Sequence, residues 1–185
     1  MPVAETAEPQ LSAEIEFSVE FYEVDMMEIV WHGNYAKYLE QVRCALLDDI
    51  GYGYLAMRDS GFVFPVTNLS LKFIRPLRFG DKARAKAVLE EYENRLRISY
   101  ELFNAQGELA AKGVTTQMAF ELSKNESRFV CPPLLIQKVE ARKAKLFKTP
   151  REETGHNTTG HNTTGQNITG QNITGERAEH DKTPP

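Results

Sequence analysis

One change of period constrains this chain more than any other feature. Ile15, Phe17, Val19 and Phe21 alternate with Glu14, Glu16, Ser18 and Glu20, the period-two pattern of a strand with one buried face. From Tyr35 the apolar residues fall instead at Tyr35, Tyr38, Leu39, Val42, Leu46 and Ile50, the three-and-four spacing of an amphipathic helix. Gly33 or Asn34 caps that helix and Gly51 stops it. The predicted helix has about 17 residues and a length of roughly 25 Å. A strand that feeds one long helix must find a sheet to cover that helix, and the rest of the sequence supplies it.

A short helix over Tyr54 to Ser60 ends at Gly61, and four strands follow. Phe64 and Val66 give way to Leu69, Leu71 and Phe73, a shift of parity that predicts a bulge or bend near Thr67 and Asn68. Gly80-Asp81 turns the chain into Lys82 to Tyr92, where Ala83, Ala85, Ala87 and Leu89 leave room for a closely packed neighbour. Leu96, Ile98, Tyr100 and Leu102 form the next strand, and the Asn104 to Gly107 turn leads into a long one through about Leu122. Connections this short join antiparallel neighbours. A last helix runs from Pro133 to about Phe147. The expectation is an α+β domain in which a curved antiparallel sheet of about five strands wraps one long helix. Such a sheet has open edges, so a homodimer or homotetramer is expected, joined through edge strands or through helices across a two-fold axis.

With 185 residues the chain suffices for one domain. That domain is read as residues 13–147, between a disordered segment 1–12 and a disordered tail 148–185. A hydrophobic content of 41% excludes a wholly disordered protein. The net charge of −4 argues against a nucleic-acid partner, which calls for a basic excess. No long apolar run or leader-like start is present, so the expectation is a cytoplasmic protein without membrane insertion. Residues 154 to 173 repeat a pentapeptide four times, TGHNT twice and TGQNI twice, with too little to bury for a solenoid. The N-x-T sequons in these repeats are assigned no role, and His156 and His161 alone would make a weak metal site.

The same inventory narrows the chemistry. Cys44 and Cys131 form no C-x-x-C pair, and only His32 of the four histidines lies in the domain. A two-histidine metal site is therefore excluded there, and no metal or other cofactor is expected. Asp59-Ser60-Gly61 lacks the first glycine of a nucleophile elbow. What remains is a carboxylate, backbone donors or His32. Asp25 closes the first strand, an apolar loop follows, and a helix N-terminus comes nine residues later. The first amides of a helix lack intrahelical acceptors and sit at the positive end of its dipole, so they stabilise negative charge placed before them. If the loop folds back, a carboxylate and N–H donors converge, as hydrolysis of an ester or thioester requires.

The run Y-x-x-D-x-x-x-I-V-W-H-G-N-Y-x-x-Y-L-E-x-x-R, from Tyr22 to Arg43, resembles the signature of the 4-hydroxybenzoyl-CoA thioesterase-like branch of the hotdog-fold acyl-CoA thioesterases. Lys72 to Asp81 is similar to that family's strand ending and turn. The resemblance covers residues 13 to 147. It implies the hotdog fold and hydrolysis of an acyl-CoA, or of an acyl carrier protein thioester, to a carboxylic acid. It implies Asp25 as catalytic nucleophile or general base, and the N–H at His32 as the group that polarises the carbonyl; a catalytic role for the His32 imidazole is a further expectation. Gly33, Asn34 and Tyr35 are expected to bind substrate. Arg75 and Arg78, in a basic stretch with Lys72, Lys82, Arg84 and Lys86, are expected to meet the phosphates of coenzyme A. Glu40 is a reserve catalytic carboxylate, and Tyr54, Met57, Phe62 and Phe64 are candidates for the acyl pocket. Val24 stands where the family often has a small hydroxyl or thiol residue. Glu28 stands where glycine is frequent, a left-handed position that glutamate resists by roughly 1 kcal/mol. The rival readings are a hydratase or dehydratase on the same fold, and a non-enzymatic acyl-CoA sensor.

Overall fold

The computed structural model describes residues 10–148; the repeats, their sequons and the tail histidines lie outside them. The chain opens with β1 (Ser12–Ser18), makes 3₁₀ turns at Phe21–Glu23 and His32–Asn34, and enters α1 (Tyr35–Ile50). α2 (Tyr54–Asp59), β2 (Phe62–Val63), β3 (Val66–Phe73), β4 (Lys82–Glu91) and β5 (Leu96–Phe103) follow. The order is completed by β6 (Leu109–Gln117), β7 (Ala119–Glu121), β8 (Glu126–Arg128) and α3 (Pro133–Lys148). Leu11 is already buried, so packing begins just before β1.

Five strands form one antiparallel sheet in the order β1-β4-β5-β6-β3, with α1 lying across its inner face. This is the hotdog arrangement. The helix buries Tyr35, Tyr38, Leu39, Val42, Leu46, Leu47 and Ile50, the stripe its spacing predicts with Leu47 added. Against it stand Ala83, Ala85 and Ala87 of β4, all but fully buried; their small side chains let the helix approach the sheet. Leu96, Ile98 and Leu102 of β5 complete this core. Each such Leu or Ile contributes about 1.5–3 kcal/mol through burial. Gly51 ends α1 at φ 76° and donates its N–H to the Asp48 and Leu47 carbonyls, a left-handed cap that glycine adopts without a Cβ clash. The predicted irregularity in β3 appears as a register shift between Val66 and Asn68.

Three elements differ from the pattern reading. β1 stops at Ser18, and Phe21 is in a 3₁₀ turn with 74% of its surface exposed. There the chain curls back on itself, as the Glu20 N–H donates to Glu23 Oε2 at 2.9 Å. The long final strand breaks at Met118, and its continuation, β7, pairs with β2 and β8 in a separate three-stranded sheet. Phe64 lies outside any strand, between β2 and β3.

The outer sheet face is charged. Arg84 pairs with Glu14 at 2.8 Å, Lys112 with Glu101 at 2.9 Å and Arg97 with Glu90 at 2.8 Å. The two edges differ in chemistry. β1 presents its glutamates outward, whereas β3 exposes Val66, Leu69 and Phe73 to 44–50%, leaving an apolar edge with unpaired backbone groups.

Candidate active site

Between Val24 and Val30 the chain forms a tight hairpin, closed by a bridge between those two residues. The Asp25 N–H donates to the Ile29 carbonyl at 2.9 Å and the Glu28 N–H to the Asp25 carbonyl at 3.0 Å. Asp25 Oδ1 accepts the Met27 N–H at 2.8 Å, an Asx turn that fixes the carboxylate on its own loop. Glu28 occupies the left-handed position with φ 60°. The loop therefore adopts the backbone that glycine favours and bears the strain, of order 1 kcal/mol. The Glu28 side chain is exposed.

The hairpin is held to the rest of the domain at both ends. The Val30 N–H donates to the Leu77 carbonyl at 2.9 Å and Ile29 bridges to Arg78. The Trp31 N–H donates to the Glu23 carbonyl at 2.9 Å. The chain thus folds back, and Asp25, His32 and Tyr35 line one cavity of about 410 Å³ together with Phe73, Ile74 and Arg75. The cavity sits at the start of α1, where the first amides have no intrahelical acceptors. Asp25 is half-buried there, and among the described residues its Oδ2 has no hydrogen-bond partner.

The other expected site residues are distributed unevenly. The His32 ring is exposed and lies 4.9 Å from the Trp31 ring. Gly33 is covered by that indole: a Cβ at this position would come within 2.0 Å of Trp31 Cζ3. Asn34 makes no side-chain cap on α1. It is buried, and its Nδ2 donates to the Glu23 carbonyl at 2.9 Å. Tyr35 packs edge-on against Phe73 at 4.9 Å, and burial pushes its hydroxyl above the ordinary value. Arg75 reaches the cavity while pairing with Glu108 at 3.6 Å and donating to the Leu109 carbonyl. Arg78 lies outside the cavity lining, with its backbone N–H on Asp81 Oδ2.

Glu23 escaped the sequence reading, and Tyr38 entered it only as part of the buried stripe of α1. Glu23 is only 7% exposed, and its Oε2 accepts the Tyr38 hydroxyl at 2.8 Å. Tyr38 in turn stacks on Phe17 with ring centroids 4.2 Å apart. Burial first, and then the Glu23 carboxylate, raise the Tyr38 hydroxyl well above its ordinary value, so it stays protonated as the donor. The E-x-x-E spacing from Glu20 to Glu23, at the end of the alternating strand, is the one local signal that could have marked this turn.

A second cavity, of about 400 Å³, lies farther along α1 and is lined by Glu40, Arg43, Cys44, Tyr54, Met57 and Phe64 among others. Three of the four expected acyl-pocket residues meet there, while Phe62 faces a separate cavity beside the start of α3. Glu40 forms an ion pair with Arg43, whose Nη1 donates to Gln117 Oε1 at 2.7 Å. The network continues inward through Thr115 to the Tyr100 hydroxyl.

The comparisons agree with this architecture. The family model described as the thioesterase-like superfamily matches residues 19–149. The Bacillus subtilis protein named "Putative acyl-CoA thioesterase YneP" is 31% identical over 107 residues, 57% of this chain and 78% of its own length. The 1,4-dihydroxy-2-naphthoyl-CoA hydrolase of Thermosynechococcus vestitus is 24% identical over 119 residues, 63% of this chain and 82% of its own. A crystal structure of a DHNA-CoA thioesterase from Staphylococcus aureus superposes with a TM-score of 0.64 at 26% identity, covering 74% of this chain and 91% of that one. The chain belongs to the thioesterase-like superfamily of hotdog proteins.

Proposed function

We propose that this protein is an acyl-CoA thioesterase, cleaving the thioester to a carboxylic acid and free coenzyme A, with Asp25 as the reacting carboxylate. The observation that carries this reading is the shared cavity of Asp25, His32 and Tyr35 at the start of α1. A thioester carbonyl seated against the amides of His32 and Gly33 would have its developing negative charge met by donors that need not reorganise. Two routes fit. Asp25 Oδ2 can attack the carbonyl carbon, expelling the thiolate and forming a mixed anhydride that water then opens. Alternatively, Asp25 can take a proton from a water molecule that attacks directly. The His32 imidazole, which lines the cavity, is assigned to seat the thioester or to protonate the departing thiolate. Gly33 leaves the space that Trp31 fills, and Asn34 holds the turn from beneath. Arg75, at the cavity, and Arg78, beyond its lining, are assigned to the phosphates of coenzyme A or of a carrier protein's phosphopantetheine.

The working unit in this reading is a homodimer joined through the apolar β3 edges. Antiparallel pairing of two β3 strands brings the Phe73 end of one, which lines the Asp25 cavity, beside the Val66 end of the other. That second end adjoins Pro65, which lines the cavity of Glu40 and Arg43. The Asp25 of one copy would then face the acyl pocket of its partner.

The test is release of free thiol from a panel of aromatic and aliphatic acyl-CoAs, with the acyl chain followed in parallel. A thioesterase liberates thiol stoichiometrically with acid. A sensor binds without liberating thiol, and a hydratase or dehydratase alters the acyl chain while the thioester stays intact; either result contradicts the proposal.

A further inference from the structure

We infer that Glu23 is the positioning residue of the site: it locks the Asp25 hairpin to the first turns of α1 and so sets the carboxylate opposite the helix amides. The inference rests on the Asp25 reading above. Glu23, two residues before Asp25, accepts four hydrogen bonds. Its backbone carbonyl accepts the Trp31 N–H and Asn34 Nδ2, both at 2.9 Å. Its carboxylate accepts the Glu20 N–H at 2.9 Å and the Tyr38 hydroxyl at 2.8 Å. One residue thereby joins the end of β1, the far leg of the hairpin, the 3₁₀ turn before α1, and α1 itself.

The energetics argue against a purely stabilising role. Glu23 is almost fully buried and, among the described residues, no cation lies within ion-pair distance. A buried carboxylate held by two hydrogen bonds and no cation is still costly, and an apolar residue of similar volume packs there more cheaply. What an apolar residue cannot supply is direction. The carboxylate fixes where the chain leaves β1 relative to Tyr38, and Tyr38 is itself fixed by the stack on Phe17 and an edge contact with Tyr35 at 6.0 Å. Tyr35 lines the Asp25 cavity. The same cluster therefore controls both the wall of the cavity and the approach of Asp25 to it.

The experiment compares Glu23→Gln, Tyr38→Phe and Asp25→Asn in the full-length protein by steady-state thiol release from the best acyl-CoA of the panel. Coenzyme A affinity and thermal midpoint are measured alongside. Displacement of a reacting group by about 1 Å costs on the order of a hundredfold in rate, so Glu23→Gln should lower kcat by about ten- to a hundredfold. KM and coenzyme A affinity should stay within about twofold, because the cavity walls remain. Tyr38→Phe removes one donor and leaves the carboxylate, so its kcat should fall in the same direction by less. Wild-type kcat in both variants, with Asp25→Asn inactive, overturns this inference alone. A loss confined to KM or to the thermal midpoint does the same, since it marks Glu23 as a packing residue. Wild-type kcat in Asp25→Asn overturns the catalytic assignment and this inference with it.

Discussion

α1 serves two cavities of nearly equal size, about 410 Å³ at its N-terminus and about 400 Å³ along its flank, and each holds one of the two carboxylates that could do chemistry. They differ in what the carboxylate is committed to. Glu40 is engaged by the Arg43 guanidinium, which is itself tied through Gln117 and Thr115 to the buried Tyr100 hydroxyl. Asp25, which lines the N-terminal cavity, spends one oxygen on its own turn, and among the described residues the other has no partner. An acid that attacks a carbonyl or takes a proton needs an uncommitted lone pair and a place for the developing charge. In the proposed reading the N-terminal cavity supplies both, and the flank cavity supplies the walls for the acyl group.

The largest expected effect separates the two carboxylates. Asp25→Asn should lower kcat for thiol release by about 10²–10⁴-fold, the usual worth of a reacting acid or base, while Glu40→Gln should stay within about threefold. Equal losses in both would erase the distinction. Next comes the joining of the cavities across the proposed dimer. Leu69→Lys places a charge on the β3 edge, where charge opposes strand pairing. Light scattering should show a shift from dimer to monomer, with most of the activity lost. A monomeric variant at full activity would confine the reaction to one subunit.

A smaller effect probes the strain in the hairpin. Glu28→Gly relieves the φ 60° position and should raise the unfolding free energy by about 0.5–1 kcal/mol in urea titration, with activity within about twofold. The smallest concerns pH. Burial pushes the Tyr100 hydroxyl up to about 12, above its ordinary value near 10. Because the folded-state value is raised, the contribution is fully present below pH about 10 and is lost as pH rises toward 12. The urea midpoint should therefore decline over that window, and Tyr100→Phe should flatten the decline.

What was legible in the sequence follows from how local each signal is. α1 and the inward alanines of β4 declare themselves because helix and strand periods repeat over ten residues or more. Asp25 is singled out by its place nine residues before a helix N-terminus and by the family resemblance of the run around it. Glu23 is not, since no local period marks a glutamate as buried, and its burial depends on the 3₁₀ turn and on Tyr38, 15 residues on. Phe21 is misplaced by the same turn, which flips it from the expected inner face to solvent. The small second sheet was missed because β2, β7 and β8 have two or three residues each, too few to set a period. Arg75 and Arg78 look equivalent in sequence, yet only Arg75 lines the cavity, while the Arg78 backbone is engaged by Ile29 and Asp81.

The most direct test is a crystal structure of the Asp25→Asn protein with an uncleaved acyl-CoA. The thioester carbonyl oxygen should lie about 2.7–3.1 Å from an amide at the start of α1, with residue 25 beside the carbonyl carbon. A thioester seated instead against Glu40 and Arg43, away from those amides, would contradict the Asp25 assignment.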